Sequence, residues 1–180
     1  LSSVQRIEPG QWAQLTLRLH PQGQARRLAF VRDQWLCLLD NGASNPTAVE
    51  IGGSPRWPTF CADGERVVLC EGGRLLMVDL HSTSVQQLPF EGYAVSAACS
   101  PASDTLAVIS AAGPGWQVQH VTLAGEVVGA APLPGEPLDR PQWHPSGAWF
   151  SLALRQDGRA TLLSAALPLA GLTTAGQDTE

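Results

Sequence analysis

The chain contains no lysine: all eleven of its basic side chains are arginine. This one-sided choice is the mark of a GC-rich coding bias and points to a bacterial source. Sixteen acidic residues bring the net charge to −5, which argues against a broad phosphate-binding surface and leaves only a local arginine patch for nucleic acid. No window approaches about 18 continuous apolar residues, so no membrane span is predicted and no membrane partner is expected. Nor does a basic n-region followed by an apolar h-region open the chain, so no signal peptide is read there. The four cysteines, Cys37, Cys61, Cys70 and Cys99, form no Cys-x-x-Cys pair, which removes the usual zinc and thiol-redox spacings. All sit in or beside predicted strands, so they are expected to be buried thiols filling core space, with a reducing, cytoplasmic compartment favoured over an oxidising one. Catalytic spacings are missing too. There is no Gly-x-Ser-x-Gly, His-Glu-x-x-His, phosphate loop or Gly-x-Gly-x-x-Gly; Gly52-Gly53-Ser54-Pro55-Arg56 comes nearest to a nucleophile elbow and lacks its final glycine. The expectation is a non-catalytic protein with no cofactor and no metal.

What is present is a repeat. Four turn sequences, His20-Pro21-Gln22-Gly23, Cys61-Ala62-Asp63-Gly64, Ser100-Pro101-Ala102-Ser103 and His144-Pro145-Ser146-Gly147, are spaced by 41, 39 and 44 residues. Proline at the second position pre-sets its φ and glycine at the fourth tolerates a positive one, so each is a β-turn candidate. An apolar run follows each turn: 28–31, 67–70, 106–109 and 150–153. Such runs are apolar on both faces, which suits strands buried between two packed sheets. A third strand follows at 35–39, 75–78, 117–121 and 160–163, and a more polar fourth at 47–51 and 84–88. Four short strands in each ~40-residue period predict an all-β, four-bladed propeller, with blades at about 11–51, 54–90, 93–131 and 139–175 in a single domain. No sustained 3.6-residue periodicity supports a helical solenoid. Ala130–Pro137 reads as a proline-rich inter-blade loop and Ala111–Gly115 as a hairpin connection.

Pro141-Gln142-Trp143-His144-Pro145-Ser146-Gly147 and Pro58-Thr59-Phe60-Cys61-Ala62-Asp63-Gly64, with the strand ending Met77-Val78-Asp79-Leu80, resemble the TolB-like and WD40-like family of propeller repeats. No copy carries a full Ser-Pro-Asp-Gly, and the third has Ser103 in place of glycine. The resemblance implies the fold and a blade-packing role for Trp143; it admits a periplasmic location, and its functions range over scaffolds, translocation accessories and enzyme-attached domains. Residues 3–10 echo 84–92 and are expected to form a closing outer strand. Either they seal the ring as an extra edge or they serve a neighbouring molecule or a further blade, so the ring is read as open or completed by a partner chain, with a homo-oligomer through that edge.

The candidate site follows from the same repeat. Innermost strands of a propeller begin at one mouth of its channel, and here they begin at Trp12, at Arg56 with Trp57, at Tyr93, and at Asp139 with Arg140. Exposed aromatics beside arginine are typical binding hot spots. The bland reading packs Trp57, like most of the six tryptophans, into the core. His20 and His144 occupy equivalent turns, where histidine stands in for serine as a side-chain acceptor; a two-histidine metal site is the sharper alternative. Arg18, Arg26, Arg27 and Arg32, with Trp12 and Trp35 to stack bases, would serve a single-stranded nucleic acid, against the acidic total. The leading reading is a protein-interaction scaffold, with a small-ligand or glycan site at the mouth as the alternative.

Overall fold

A computed structural model describes residues 15–19, 26–40, 42–169 and 173–174, with the backbone alone for 15–19, 26 and 173–174. Among these residues every regular element is a strand. The first sheet orders β1 (Leu15–Leu19), β2 (Arg26–Arg32), β3 (Trp35–Asp40) and β4 (Thr47–Glu50). The second orders β5 (Arg56–Phe60), β6 (Arg66–Glu71), β7 (Arg74–Asp79) and β8 (Val85–Gln87). The third comprises β9 (Tyr93–Cys99), β10 (Thr105–Ala112), β11 (Gly115–Thr122) and β12 (Val127–Leu133). In the fourth, β13 (Glu136–Pro137) and β14 (Gln142–Trp143) both pair with β15 (Trp149–Gln156), followed by β16 (Arg159–Ala166) and β17 (Thr173–Thr174).

All pairings are antiparallel, and each second strand returns as the third through a two-residue turn. The first residue of those turns has positive φ in all four: Asp33 at 54°, Gly72 at 56°, Gly113 at 56° and Asp157 at 50°. This is the backbone twist a two-residue hairpin demands, and glycine or aspartate meets it at low steric cost.

Because the strands are apolar on both faces, each sheet must be covered twice. One face of blade 1, carrying Ala29, Leu36 and Leu38, packs on Val67, Leu69 and Val78 of blade 2. The other face of blade 2, with Val68, Cys70 and Leu75, meets Ala97, Leu106 and Val108 of blade 3. Blade 3 then turns Ala107, Ile109 and Val118 onto Phe150, Leu152 and Leu163 of blade 4. The strict alternation of odd and even positions along one strand is the period-2 rule at work. The chain is thus an all-β propeller arc of four blades, stacked in sequence order.

Polar ties set how the blades sit on one another. Trp143 Nε1 donates to the Ala98 carbonyl at 2.9 Å, and the same indole meets Phe150 edge-on with ring centres 5.0 Å apart. Arg66 bonds Asp63 within its own turn and Asp104 of blade 3 at 2.7 Å. Burial alone would push the Asp63 carboxyl up, but the Arg66 guanidinium and the backbone N–H groups of Glu65 and Arg66 hold it below its usual value. At the next turn, a Cβ on Gly147 would fall 2.6 Å from Ala102 Cβ, so glycine there permits turn-on-turn packing as well as its φ of 70°. His144 plays the acceptor role expected of it: Ser146 N–H donates to its Nδ1 at 3.2 Å. His20 lies outside the described residues, and among those described no group of three or more metal-ligating side chains gathers.

Two expectations are corrected. The stretch Ala130–Pro137 is largely strand, as β12 runs to Leu133 and β13 takes Glu136 and Pro137. Proline is tolerated because β12 is an edge strand whose outward N–H positions need no donor. The cysteines are not four thiols. Cys61 and Cys99 are disulfide-bonded, with Cα atoms 5.0 Å apart, while Cys37 and Cys70 are free and buried. The linked pair is 38 residues apart, about one blade period, so equivalent strand ends on adjacent blades come face to face. Burial pushes the Cys70 thiol up to about 12, leaving it protonated and inert. The closing strand at residues 3–10 lies outside the described residues.

Thiol titration of the denatured, unreduced protein is expected to find two reactive cysteines, and reduction to cost stability of about 2–4 kcal/mol. Four titratable thiols would remove the inter-blade link. A second expectation concerns His120 of β11, whose Nε2 is buried without a hydrogen-bond partner and whose ring lies 6.5 Å from that of Trp143. Burial lowers its pKa from the ordinary 6.5, so the unfolded chain binds the proton more readily than the folded one. The stability this confers is complete above about 6.5 and is lost as pH falls through that value, until the lower folded pKa is passed. Melting temperature is therefore expected to drop between pH 7.5 and 5.5, and to drop less in His120→Gln; equal slopes would exclude His120 as the cause.

Candidate functional site

The antiparallel order brings the starts of first and third strands, and the ends of second and fourth, to one end of each blade. That end carries Arg56, Trp57 and Tyr93; Asp139 and Arg140, expected to open the innermost strand of blade 4, instead fall in the break between β13 and β14, because that strand begins at Glu136 opposite Arg155, and Trp12 lies outside the described residues. Arg56 opens β5, is exposed, and forms no ion pair among the described residues. Trp57 follows it half-buried with φ of 57°, inside a register break where β5 slips between Arg56 and Thr59 against β6. A β-bulge re-aims its side chains, and a non-glycine residue held at positive φ stores strain that the surrounding fold must sustain.

Tyr93 opens β9 and is 58% exposed. Its ring lies on the β6–β7 turn of blade 2, where a Cβ added to Gly73 would stand 2.4 Å from Tyr93 Cδ2. The backbone is tied at the same place, as Ala94 N–H donates to the Gly73 carbonyl at 2.8 Å. Glycine at 73 thus does two things: it closes the hairpin and seats the phenol. Flanking that turn, Glu71 is nearly buried and paired with Arg74.

Asp139 is exposed, and its Oδ1 accepts the backbone N–H of Arg140 at 2.7 Å. Arg140 does not stand free on the rim. Its guanidinium is half-buried and Nη1 donates to the Pro58 carbonyl at 3.0 Å, joining blade 4 to the bulged strand of blade 2. Burial pushes its pKa down, against the pull of Asp139, yet a guanidinium stays charged under such pressure.

Trp116 is half-buried and packs against the core between blades 3 and 4, as most of the tryptophans were expected to. It lines a shallow apolar hollow with Pro114, Ala130, Pro132 and Leu133 at the same end of blade 3. Tyr93 pairs with Ala111 across β9 and β10, so the hollow begins one residue beyond the tyrosine's partner. The hollow itself was not read from the sequence, although Pro114-Gly115-Trp116 marks the hairpin edge that lines it. The arginine patch of blade 1 is weaker than it reads, because Arg27 is paired with Asp40. Trp35 is half-buried and Arg32 exposed, and the side chains of Arg18 and Arg26 lie outside the described residues.

No protein-family profile matches the chain. No curated protein matches either. Solved structures do. A TolB from Acinetobacter baumannii superposes with a TM-score of 0.67 at 18% identity, covering 83% of this chain and 40% of that one. An Agrobacterium tumefaciens protein described as a TolB gives 0.68 at 15%, covering 86% and 61%. The chain has the fold of the TolB-like β-propellers. Hydrazine synthase of Kuenenia stuttgartiensis is similar over 97% of this chain, with a TM-score of 0.71 at 15% identity, and over 51% of its own length. The TolB-like arc therefore spans less than two thirds of each of these relatives, and identities this low speak to the fold alone.

Arg140→Ala is expected to cost about 1–3 kcal/mol by removing a charge-assisted hydrogen bond to the buried Pro58 carbonyl, read as a lower urea midpoint. A midpoint equal to that of the unaltered chain would show that the bond between blades 2 and 4 is not held.

Proposed function

We propose that this TolB-like arc is a non-catalytic protein-interaction module that docks its partner on the mouth end of blades 2 and 3. The observation that carries the reading is Tyr93: a phenol 58% exposed, yet fixed in place by the Gly73 turn beneath it. A pre-seated aromatic loses little conformational freedom on binding, which is what an anchor residue needs. Arg56 supplies an exposed guanidinium for carboxylate or backbone carbonyl groups. The strained bulge at Trp57 and the hollow beside Trp116 extend the surface on either side. Arg140 acts here as a positioning residue, holding the bulged strand.

The exposure of Tyr93 also favours a second reading, in which a compact polar ligand such as a glycan stacks on the phenol. The two separate in one experiment. A photo-crosslinking amino acid at position 93, in the native host, is expected to trap a discrete protein that the same group at Ser82, remote on the outer β7–β8 turn, does not. With the trapped protein in hand, Tyr93→Ala and Arg56→Ala are each expected to weaken its binding by ~1–2 kcal/mol, a factor of ~5–30. The same adducts at both positions, or none at 93, would set the interaction reading aside.

A further inference from the structure

The described arginine side chains divide by their place in the fold. At the end opposite the mouth, Arg27 is paired with Asp40, and Arg66 with Asp63 and Asp104. At the mouth end Arg74 is paired with Glu71 and Arg155 with Glu136. Arg32, Arg56 and Arg159 are exposed and form no ion pair among the described residues. All three stand at the mouth end, Arg32 closing β2, Arg56 opening β5 and Arg159 opening β16. Of these only Arg56 belongs to the two blades that carry Tyr93 and its seat. Glu91, two residues before Tyr93, is exposed as well, so the local charge suits one carboxylate and not a polyanion.

Beyond Arg56 the mouth end of blade 3 forms a single row. Tyr93 pairs with Ala111, Ala111 with Trp116, and Trp116 with Leu133. The hollow lies at the outer end of this row, lined by Ala112, Pro114, Trp116, Ala130, Pro132 and Leu133, with no charged residue in its wall. At ~4.8 Å per strand it stands roughly 10–14 Å from Tyr93. Pro132 has no N–H to offer an added strand, so recognition at this point is by a side chain and not by extension of the sheet. Blades 2 and 3 are covered on both faces by blades of this chain, so their mouth end is a rim of strand ends that stacking of further blades does not use.

We infer, building on the docking reading above, that the partner presents an extended segment bearing a carboxylate and, a few residues away, an apolar side chain. The carboxylate meets Arg56, the backbone crosses Tyr93, and the apolar group fills the hollow beside Trp116. The charge-assisted bond to a guanidinium is directional, so it also sets which way the segment runs. A helix needs a continuous apolar groove; here a guanidinium, a phenol and a small hollow are separate contacts, which an extended chain meets with successive side chains.

The test places photo-crosslinking amino acids at 93 and at 132, one at a time, in the protein as its native host makes it. Both are expected to trap the same protein, and peptide mapping to find the joined sites roughly three to five residues apart, as ~3.3 Å per residue requires. The site joined to 132 should be apolar. Arg56→Glu is then expected to lower the yield at 132 by about tenfold through like-charge repulsion, and changing the mapped carboxylate of the partner to arginine to restore it. A protein trapped at 93 but not at 132 would overturn the inference and leave the docking reading standing; none at either position removes both. Adducts from 132 to this same chain would show the hollow filled from within, which also overturns it. So would joined sites about eight or more residues apart, the spacing of a helix at 1.5 Å per residue, or a charge reversal that restores nothing.

Discussion

Everything in this structure follows from sheets that are apolar on both faces. A sheet with one wet face can stop at a single partner; a sheet with none must be stacked between two. Val67, Val68, Leu69 and Cys70 in β6 state the constraint most plainly, four consecutive residues all buried, two of them facing blade 1 and two facing blade 3. Hydrophobic burial drives the stacking without fixing its angle or register, because it is non-directional. The directional part comes from a small number of polar ties: the indole of Trp143 on the Ala98 carbonyl, Arg66 on Asp104, and Cys99 N–H on the Thr59 hydroxyl at 3.3 Å. These sit near the innermost strands and turns, where a small change of tilt moves the outer strands furthest.

The mouth end departs from this economy. A regular β5 would bury Trp57 and need no bulge; instead the strand slips, Trp57 takes a left-handed φ, and a half-buried arginine from blade 4 holds the carbonyl next to it. Tyr93 is large and apolar in area but largely in solvent. Strain and exposure at the same end of the molecule are the two features that stability alone does not select.

How much of this was legible in the sequence varies with the range of the interaction. The blade period, the second and third strands and the turn role of His144 are local patterns, and the structure reproduces them to within three residues. The edge strand β12 was hidden by its own Pro132 and by Pro134 just past its end, since proline signals a loop unless the outer edge of a sheet makes its missing N–H irrelevant. The Cys61–Cys99 link was readable in principle as two cysteines about one repeat apart; counting Cys-x-x-Cys spacings looked at the wrong distance. Arg140 on Pro58 and Tyr93 on Gly73 could not be read at all, because they depend on how blades tilt towards one another across 82 and 20 residues of chain.

The Trp143 indole donates its one N–H to Ala98, on the innermost strand of the preceding blade. Among the described residues blades 2 and 3 each pack on two neighbours, whereas blades 1 and 4 each pack on one. In a linear array of this kind, resistance to opening is a sum of nearest-neighbour terms. Amide protons of β6 and β10 should therefore outlast those of β3 and β16 in exchange with solvent, and a pulling force would peel the arc from its two ends inward. The last unit standing would be the pair of blades welded by Cys61 and Cys99, which carries Arg56, Trp57 and Tyr93, so the docking end would persist after half of the arc had come apart.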